Sequence, residues 1–519
     1  MRAGGRSVLA LAHSAAMRGV DGYVVRVEAD SSAGTPSFVI IGLPDRALGE
    51  SRDRVRAAIF NSGLSFPSGK LLINLAPADV RKEGPGFDLS LALALLSIDE
   101  QIDRLALQGF VALGELALDG AVRGVRGLLP MVLGARSAGF GKLLVPRANA
   151  REAALVDGLE IYALDTLLDA VAVVQGHGAK FRFTERPVAY RPRPEALGDF
   201  ADVRGQRHAK RALEIAAAGG HNVLLVGPPG CGKTMLARRL PSILPAMSPA
   251  EALEVTKIYS VAGMLPQGEH AGIVSARPFR APHHTVSQIA LCGGGATPRP
   301  GEISLAQHGV LFLDELPEFN RSALESMRQP LEEGSIAVGR AAGSFTFPAR
   351  FALVAAMNPC PCGFRGTRGG ECRCDESAVA RYAAKLSGPL LDRVDLHVEV
   401  ARVPFDEIIT RAAAEPSAAI RARVEAARAV QRSRYEDKRA QTNASIAARD
   451  VREHCALEAG STALLRDAAT RGRLSARALD RITRVARTIA DLSGSTAIEA
   501  AHVAEAIGYR SLERLGLAA

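Results

Sequence analysis

The chain has no tryptophan, and aromatic residues make up only 5 % of it. A surface that stacks single-stranded bases needs exposed rings, so any grip on nucleic acid would lean on phosphates instead. No apolar run approaches the roughly 20 residues that a membrane-spanning helix requires, and no membrane partner is expected. Cysteine is sparse and uneven. Of seven, four lie between Cys360 and Cys374, which is unlike a disulfide framework spread through a secreted domain. The N-terminal run after Arg2 and Arg6 imitates a secretory leader in outline, but it breaks at His13, and Gly22 to Glu28 then alternates like a strand. The expected compartment is the cytoplasm.

What is present is an ordinary globular composition: 519 residues, 47 % hydrophobic and 23 % charged, enough for roughly three or four domains. The net charge of +9 favours acidic partners, of which nucleic acid is the commonest, although an Arg-rich composition alone would give the same charge. Residues 1–175 read as an α/β domain. Within it Tyr23 to Val27, Ser37 to Ile41 and Leu71 to Leu75 are expected strands, with helices over Gly49 to Asn61 and Phe87 to Leu96. Residues 176–200 carry Gly176, Gly178, Pro187, Pro192 and Pro194, the composition of an extended linker. Strands and helices alternate over 201–400, which implies a parallel sheet flanked by helices. The Ala- and Arg-rich residues 401–519 read as a helical module.

Residues 227–234 spell Gly227-Pro228-Pro229-Gly230-Cys231-Gly232-Lys233-Thr234, between the apolar strand Asn222 to Val226 and a helix. This is the P-loop pattern in its required context. Glycines let successive N–H groups turn inward as an anion nest at a helix N-terminus. Lys233 is then the charge for the β- and γ-phosphates and Thr234 a hydroxyl ligand for Mg²⁺. Downstream, the apolar run from Val310 ends in two carboxylates, Asp314 for the Mg²⁺ shell and Glu315 to orient or deprotonate the attacking water. A third strand, Phe351 to Met357, ends at Asn358, an amide able to hold that water or sense the γ-phosphate; an Asn before Pro359 also simply starts turns.

These motifs, together with RPFRAPHHT at 277–285, GEISLAQHGVLFLDELPEF at 301–319, FPARFALVAAMNPCPCG at 347–363, SGPLLDRVDLHVEV at 387–400 and LSARALDRITRVARTIADLSG at 474–494, closely resemble the ComM family of magnesium-chelatase-like AAA+ ATPases over nearly the whole chain. The resemblance implies a multidomain α/β protein: a P-loop AAA+ core at 201–400, a helical C-terminal lid within 401–519, and ATP with Mg²⁺ as cofactors. It implies that Arg393 is an arginine finger presented to a neighbouring subunit, so that the protein is a homo-oligomer, usually a hexamer, and that Arg477 is the second sensor arginine. Either arginine could instead form a surface ion pair, with Asp392 and Asp395 at hand for Arg393. It also implies a DNA motor acting on single-stranded or branched DNA, a branch-migration helicase serving recombination and natural transformation. A magnesium-chelatase motor subunit and a protein-remodelling chaperone are the competing readings.

The hairpin-like segment Ser335 to Phe347 resembles one that points into the pore of related ATPases, which would put Arg340 against a phosphate backbone. Residues 1–175 resemble the Lon protease domain through KEGPGFDLSLALAL at 82–95 and LGELALDGAVRGVRGLLP at 113–130, but Gly86 and Leu129 stand where the nucleophilic serine and its lysine would be. Without a hydroxyl and an amine to share a proton, no peptidase activity is expected. Cys360, Cys362, Cys372 and Cys374 form two C-x-C pairs. Four thiolates suit a structural Zn²⁺, but the spacing is tighter than the usual knuckle and a redox or unligated loop is the other reading. His283 and His284 are expected to form structural hydrogen bonds.

Overall fold

The computed structural model describes every residue except 1–7, 44, 81, 83, 186–197, 266–271, 296–297, 341–342, 367–371, 405, 408–413, 437–441, 473 and 511–519. By contacts the chain falls into two compact units, one of residues 1–191 with 252–274 and 337–346, the other of 192–251, 275–336 and 347–519.

The first unit is built on a seven-stranded mixed sheet, in the order 37–41, 70–76, 21–32, 8–18, 110–112, 142–146, 160–164. Strand Val8–Arg18 runs antiparallel to Asp21–Ser32 and parallel to Phe110–Ala112. The apolar run does not end at His13, as its sequence suggested: His13 sits inside the strand, paired with both Arg26 and Val111. The strand escapes recognition because it lies between two layers and is made of small residues. Ala10, Ala12 and Ala16 join one buried cluster with Leu89 and Leu93, while Ala15 joins another with Leu128 and Val132. Side chains of a strand alternate between faces, and a strand covered on both faces has no polar side to give it away.

The covering helices are explained by their sequences. Asp45 caps Arg46–Asn61 by accepting from the Leu48 N–H at 2.8 Å. Every residue of Asp88–Ile98 is buried, and Asp88 at its start is held by Arg54 Nε at 2.9 Å. Burial still pushes the Asp88 carboxyl above its ordinary value. Helix Leu128–Ser137 lies directly on the sheet, because its Gly134 meets Gly22 backbone to backbone. A Cβ on Gly134 would stand 2.4 Å from the Gly22 carbonyl carbon.

Two expectations about boundaries change. The linker does not begin at 176: Phe181 is buried in the first unit's core and the Phe183 N–H donates to Ile161 O at 2.8 Å. Residues 186–197 of the expected linker lie outside the described residues. Nor is 201–400 one uninterrupted body, since 252–274 and 337–346 group with the first unit. Within that unit the Gly127 N–H donates to Ser260 O at 3.1 Å and Lys257 pairs with Asp21 at 2.6 Å. The hairpin itself forms from Ser335–Arg340 and Gly343–Pro348, while Ala341 and Ala342 of its turn lie outside the described residues.

The second unit holds a five-stranded sheet in the order 279–280, 310–313, 352–357, 223–226, 396–399, with every pairing parallel. Its core does not stop at residue 400. Val223, Leu225 and Val398 share one buried cluster with Ile420 and Val424 of helix Ser417–Arg434 and with Ile482, Val485 and Ile489 of helix Ala476–Leu492. Asp491, with no exposed side-chain surface, receives Arg434 at 2.6 Å and Arg487 at 3.0 Å and joins these helices.

The Gly134–Gly22 contact yields a direct test. Gly134→Ala should destabilise the protein by about 1–3 kcal/mol through overpacking, against a helix-propensity gain of about 0.5–1 kcal/mol. Calorimetry should therefore find a lower Tm, and a raised Tm would mean that the contact is looser than described.

Candidate nucleotide site

Parallel strands direct their carboxyl ends to one edge, where α/β proteins bind ligands. Val226 ends its strand there, and the Gly227 N–H donates to Met357 O at 3.2 Å. A side chain at 227 could not be accommodated, since a Cβ would lie 2.2 Å from Val400 O. Gly230 and Gly232 take φ of +76° and +95°, the left-handed region that only glycine enters cheaply. Helix Lys233–Ile243 starts at once, so its free N–H groups and the loop's amides face one concavity.

The Lys233 ammonium lies in that concavity. It donates to Gly227 O at 2.7 Å, Pro228 O at 3.0 Å and Asn358 Oδ1 at 3.1 Å. The Thr234 hydroxyl donates to Asp314 Oδ2 at 2.8 Å. The fold thus brings together Lys233 with Asn358 and Thr234 with Asp314, across three neighbouring strand ends. A hydroxyl and a carboxylate oxygen at this separation can share one hard cation, and a lysine with an amide can grip a terminal phosphate. Cys231 within the loop is buried, and burial raises its thiol pKa.

Glu315 follows Asp314 in a left-handed conformation, φ +53°, which is costly for a residue with a Cβ and is often found at functional sites. Its carboxylate faces His284, Nδ1 to Oε2 at 3.4 Å, and the His283 and His284 rings lie 4.1 Å apart. His283 Nδ1 and the Thr285 hydroxyl are hydrogen bonded at 2.9 Å.

The two arginines lie elsewhere. Arg393 is 6 % exposed and pairs with Glu332, not with Asp392 or Asp395. Arg477, exposed in the first turn of its helix, also acts on Glu332. The Arg393 hydrogen bond, with help from Arg477 and Arg328, holds the Glu332 carboxyl below its ordinary value. Among the described residues neither arginine is bonded to residues 227–234 in the same chain. Glu332 gave no signal in the sequence, because nothing local ties it to a residue sixty positions away.

Asn222 was also missed, and Asp395 had been considered only as a partner for Arg393; together they hold the strand starts. Asn222 Oδ1 accepts from the Leu353 N–H at 3.0 Å, its amide donates to Arg393 O at 3.0 Å, and its own N–H donates to Asp395 Oδ2 at 3.0 Å. Asp395 also pairs with Arg481 and faces His221 at 3.5 Å. Burial opposes the charge of Asp395, but Arg481, His221 and the Asn222 N–H overcome it and hold the carboxyl well below the usual range.

The four clustered cysteines converge. Cys360 Sγ lies 3.4 Å from Cys362 Sγ and 3.7 Å from Cys372 Sγ, and all four sulfurs lie within 4.8 Å of one another. Backbone N–H groups of Phe364 and Arg373 pull the Cys362 thiol below its usual value. Cys292 and Cys455 are separate and buried.

A parallel sheet carrying a P-loop in one unit and a mixed sheet in the other define a multidomain α/β protein with an AAA+-like fold. The description "Magnesium chelatase, subunit ChlI" matches residues 199–408, "Subunit ChlI of Mg-chelatase" matches 27–149, and "Magnesium chelatase, subunit ChlI C-terminal" matches 414–510. The chain is 44 % identical over 512 residues to the competence protein ComM of Haemophilus influenzae, covering 98 % of each chain. It is also 44 % identical over 514 residues to YifB of Salmonella typhimurium, again covering 98 % of each. A shorter likeness, 30 % over 142 residues, links 25 % of this chain to 17 % of the Lon protease of Citrifermentans bemidjiense. The chain belongs to the ComM/YifB-like family of magnesium-chelatase-type AAA+ proteins, a class that implies ATPase activity. Among the described residues no helix is long and apolar enough to cross a membrane.

Asp395→Asn should cost about 3 kcal/mol at neutral pH, because it leaves Arg481 without its buried partner. A carboxyl whose folded pKa is depressed stabilises the fold above its unfolded pKa of about 3.9, and that stabilisation is lost as pH falls. The gap between wild type and variant in urea midpoints should therefore be full at pH 7 and narrower at pH 3. A gap independent of pH would remove the charge from the explanation.

Proposed function

We propose that the protein is an Mg·ATP-hydrolysing ring motor that acts on DNA, a branch-migration helicase engaged in recombination and in the integration of incoming DNA during natural transformation. The observation that carries this reading is the paired contact Lys233–Asn358 and Thr234–Asp314 at the strand ends. In the reaction Lys233 neutralises the β- and γ-phosphates, Thr234 and Asp314 take the Mg²⁺, Glu315 orients and deprotonates water, and Asn358 registers the γ-phosphate. The competence protein name of the Haemophilus influenzae relative supports the link to DNA, as does the net charge of +9.

Arg393 serves as the finger for a neighbouring copy, which makes the working form a homo-oligomer, a hexamer, with Arg477 as the second sensor in the helical lid. Its pairing with Glu332 is the resting partner, exchanged for phosphate when subunits meet. The hairpin 335–348 faces the pore. The Lon-like domain, with Gly86 and Leu129 at the dyad positions, takes a role in assembly or docking and not in peptide cleavage.

Lys233→Ala should abolish nucleotide binding, whereas Glu315→Gln should bind ATP and hydrolyse it about 100-fold more slowly or worse. Hydrolysis should rise with DNA, and a synthetic four-way junction should be carried by strand exchange into two duplex products. If DNA leaves the rate unchanged and the junction intact, the DNA reading is lost, and a chelatase or protein-remodelling motor takes its place.

Arg393→Ala should bind ATP normally and lose about 10³-fold in rate. Mixed with Glu315→Gln subunits it should regain part of that rate, since some neighbours then pair an intact finger with an intact glutamate. Mixtures with no activity above either parent would deny the finger its role in trans.

A further inference from the structure

The four-cysteine loop grows directly out of the nucleotide site. Asn358, which accepts from Lys233, is followed by Pro359 and then Cys360, so the sulfur and the amide share one short, stiff stretch of backbone. Cys360 is fully buried, and its sulfur accepts from the Arg365 N–H at 3.4 Å. Between them, Gly363 takes φ +83° and lies flat against the phosphate loop: a Cβ there would stand 2.7 Å from Pro229 Cδ and 3.7 Å from Asn358 Cγ. Phe364 carries the Arg402 guanidinium over its ring at 5.5 Å. The neighbouring Ala401 carbonyl accepts from Gln206 at 2.7 Å, and the same Gln206 amide donates to Cys231 O at 3.1 Å in the phosphate loop. Residues 360–364 therefore form a wall of the site from Pro229 to Asn358.

Among the described residues the wall is also tied by the Gly363 N–H donating to Cys360 O at 2.9 Å and, through Arg365, to Glu376 at 3.0 Å. It is made of Cys, Pro, Gly and one Phe, and it buries few large apolar groups. What the loop does offer is four sulfurs within 4.8 Å of one another, three of them at near-tetrahedral spacing. Thiolates about 2.3 Å from one Zn²⁺ lie about 3.8 Å from each other, and the observed separations of 3.4 and 3.7 Å match that. A disulfide needs about 2.05 Å, so these contacts are not bonds between sulfurs. The two remaining ligands come from beyond the wall, at Cys372 and Cys374, so one ion would staple its far end to the start of helix Glu376–Ala383.

We propose that Cys360, Cys362, Cys372 and Cys374 bind one Zn²⁺ and that this ion sets the geometry of the ATP site by holding Gly363 against Pro229 and Asn358 against Lys233. Zinc is redox-inert and closed by four protein ligands, so it does no chemistry on the nucleotide. It positions. The inference rests on the reading of residues 227–234 as the ATP site, and its test is arranged to fail separately from that reading.

The full chain should carry about one zinc per molecule by elemental analysis. Cys372→Ser with Cys374→Ser removes two ligands away from the buried Cys360. It should lose the zinc, keep its far-ultraviolet circular dichroism, and bind a fluorescent ATP analogue with Mg²⁺ about tenfold or more weakly, as displaced site groups do. Gly363→Ala keeps all four thiols and should retain zinc while weakening the same binding, because its Cβ strikes Pro229. A wild type that takes up no zinc overturns the metal site. A zinc-free double variant that binds the analogue like wild type overturns the coupling, and so does Gly363→Ala with full zinc and full affinity. A zinc-loaded wild type that binds no analogue removes the nucleotide-site reading, and the coupling with it.

Discussion

Three parallel strand ends held at one edge of the second unit's sheet are the constraint on which the site depends. Val223–Val226, Val310–Leu313 and Ala352–Met357 each contribute only a few residues beyond their last ladder bond, yet those residues are the lysine and threonine, the paired carboxylates, and the asparagine. Because ladder bonds fix the strands relative to one another, the Lys233–Asn358 and Thr234–Asp314 contacts need no flexible reach. Most of the ordering entropy for these groups is met by folding the sheet.

The opposite end of the sheet is held just as firmly. Asn222 joins two strands and the Arg393 loop with its amide and backbone, and Asp395 ties that junction to Arg481 on the helix Ala476–Leu492. The shared apolar cluster makes the C-terminal helices part of the same core as the sheet. Arg393 therefore stands on a backbone position that both the sheet and the helices define, while among the described residues its guanidinium is held by Glu332 and the Pro389 carbonyl. That combination, a fixed base with a tip on few partners, suits the exchange of partners proposed for it.

Legibility followed the range of the interactions. The glycine turn and its lysine form a local pattern whose chemistry depends on neighbours in the chain, so it could be read directly. Helix Asp88–Ile98 was visible from its apolar run, and Ser37–Ile41 was read as a strand. Strand Val8–Arg18 was not, because a central strand rich in alanine and poor in β-branched residues gives little signal. The start of the expected linker was misplaced because the glycines at 176 and 178 suggested an extended segment, whereas Gly178 provides a close approach to Tyr162.

From the sequence alone came the identity of the phosphate loop, the carboxylates after the apolar strand, the cysteine pairs and the family resemblance, because each is a pattern of residue types at short spacing. The tertiary structure decided which partner each charge takes. Arg393 meets Glu332, Asp395 meets Arg481, and Gly363 meets Pro229. Such pairings join segments far apart along the chain, and only the packing of sheet and helices determines which of them come within reach.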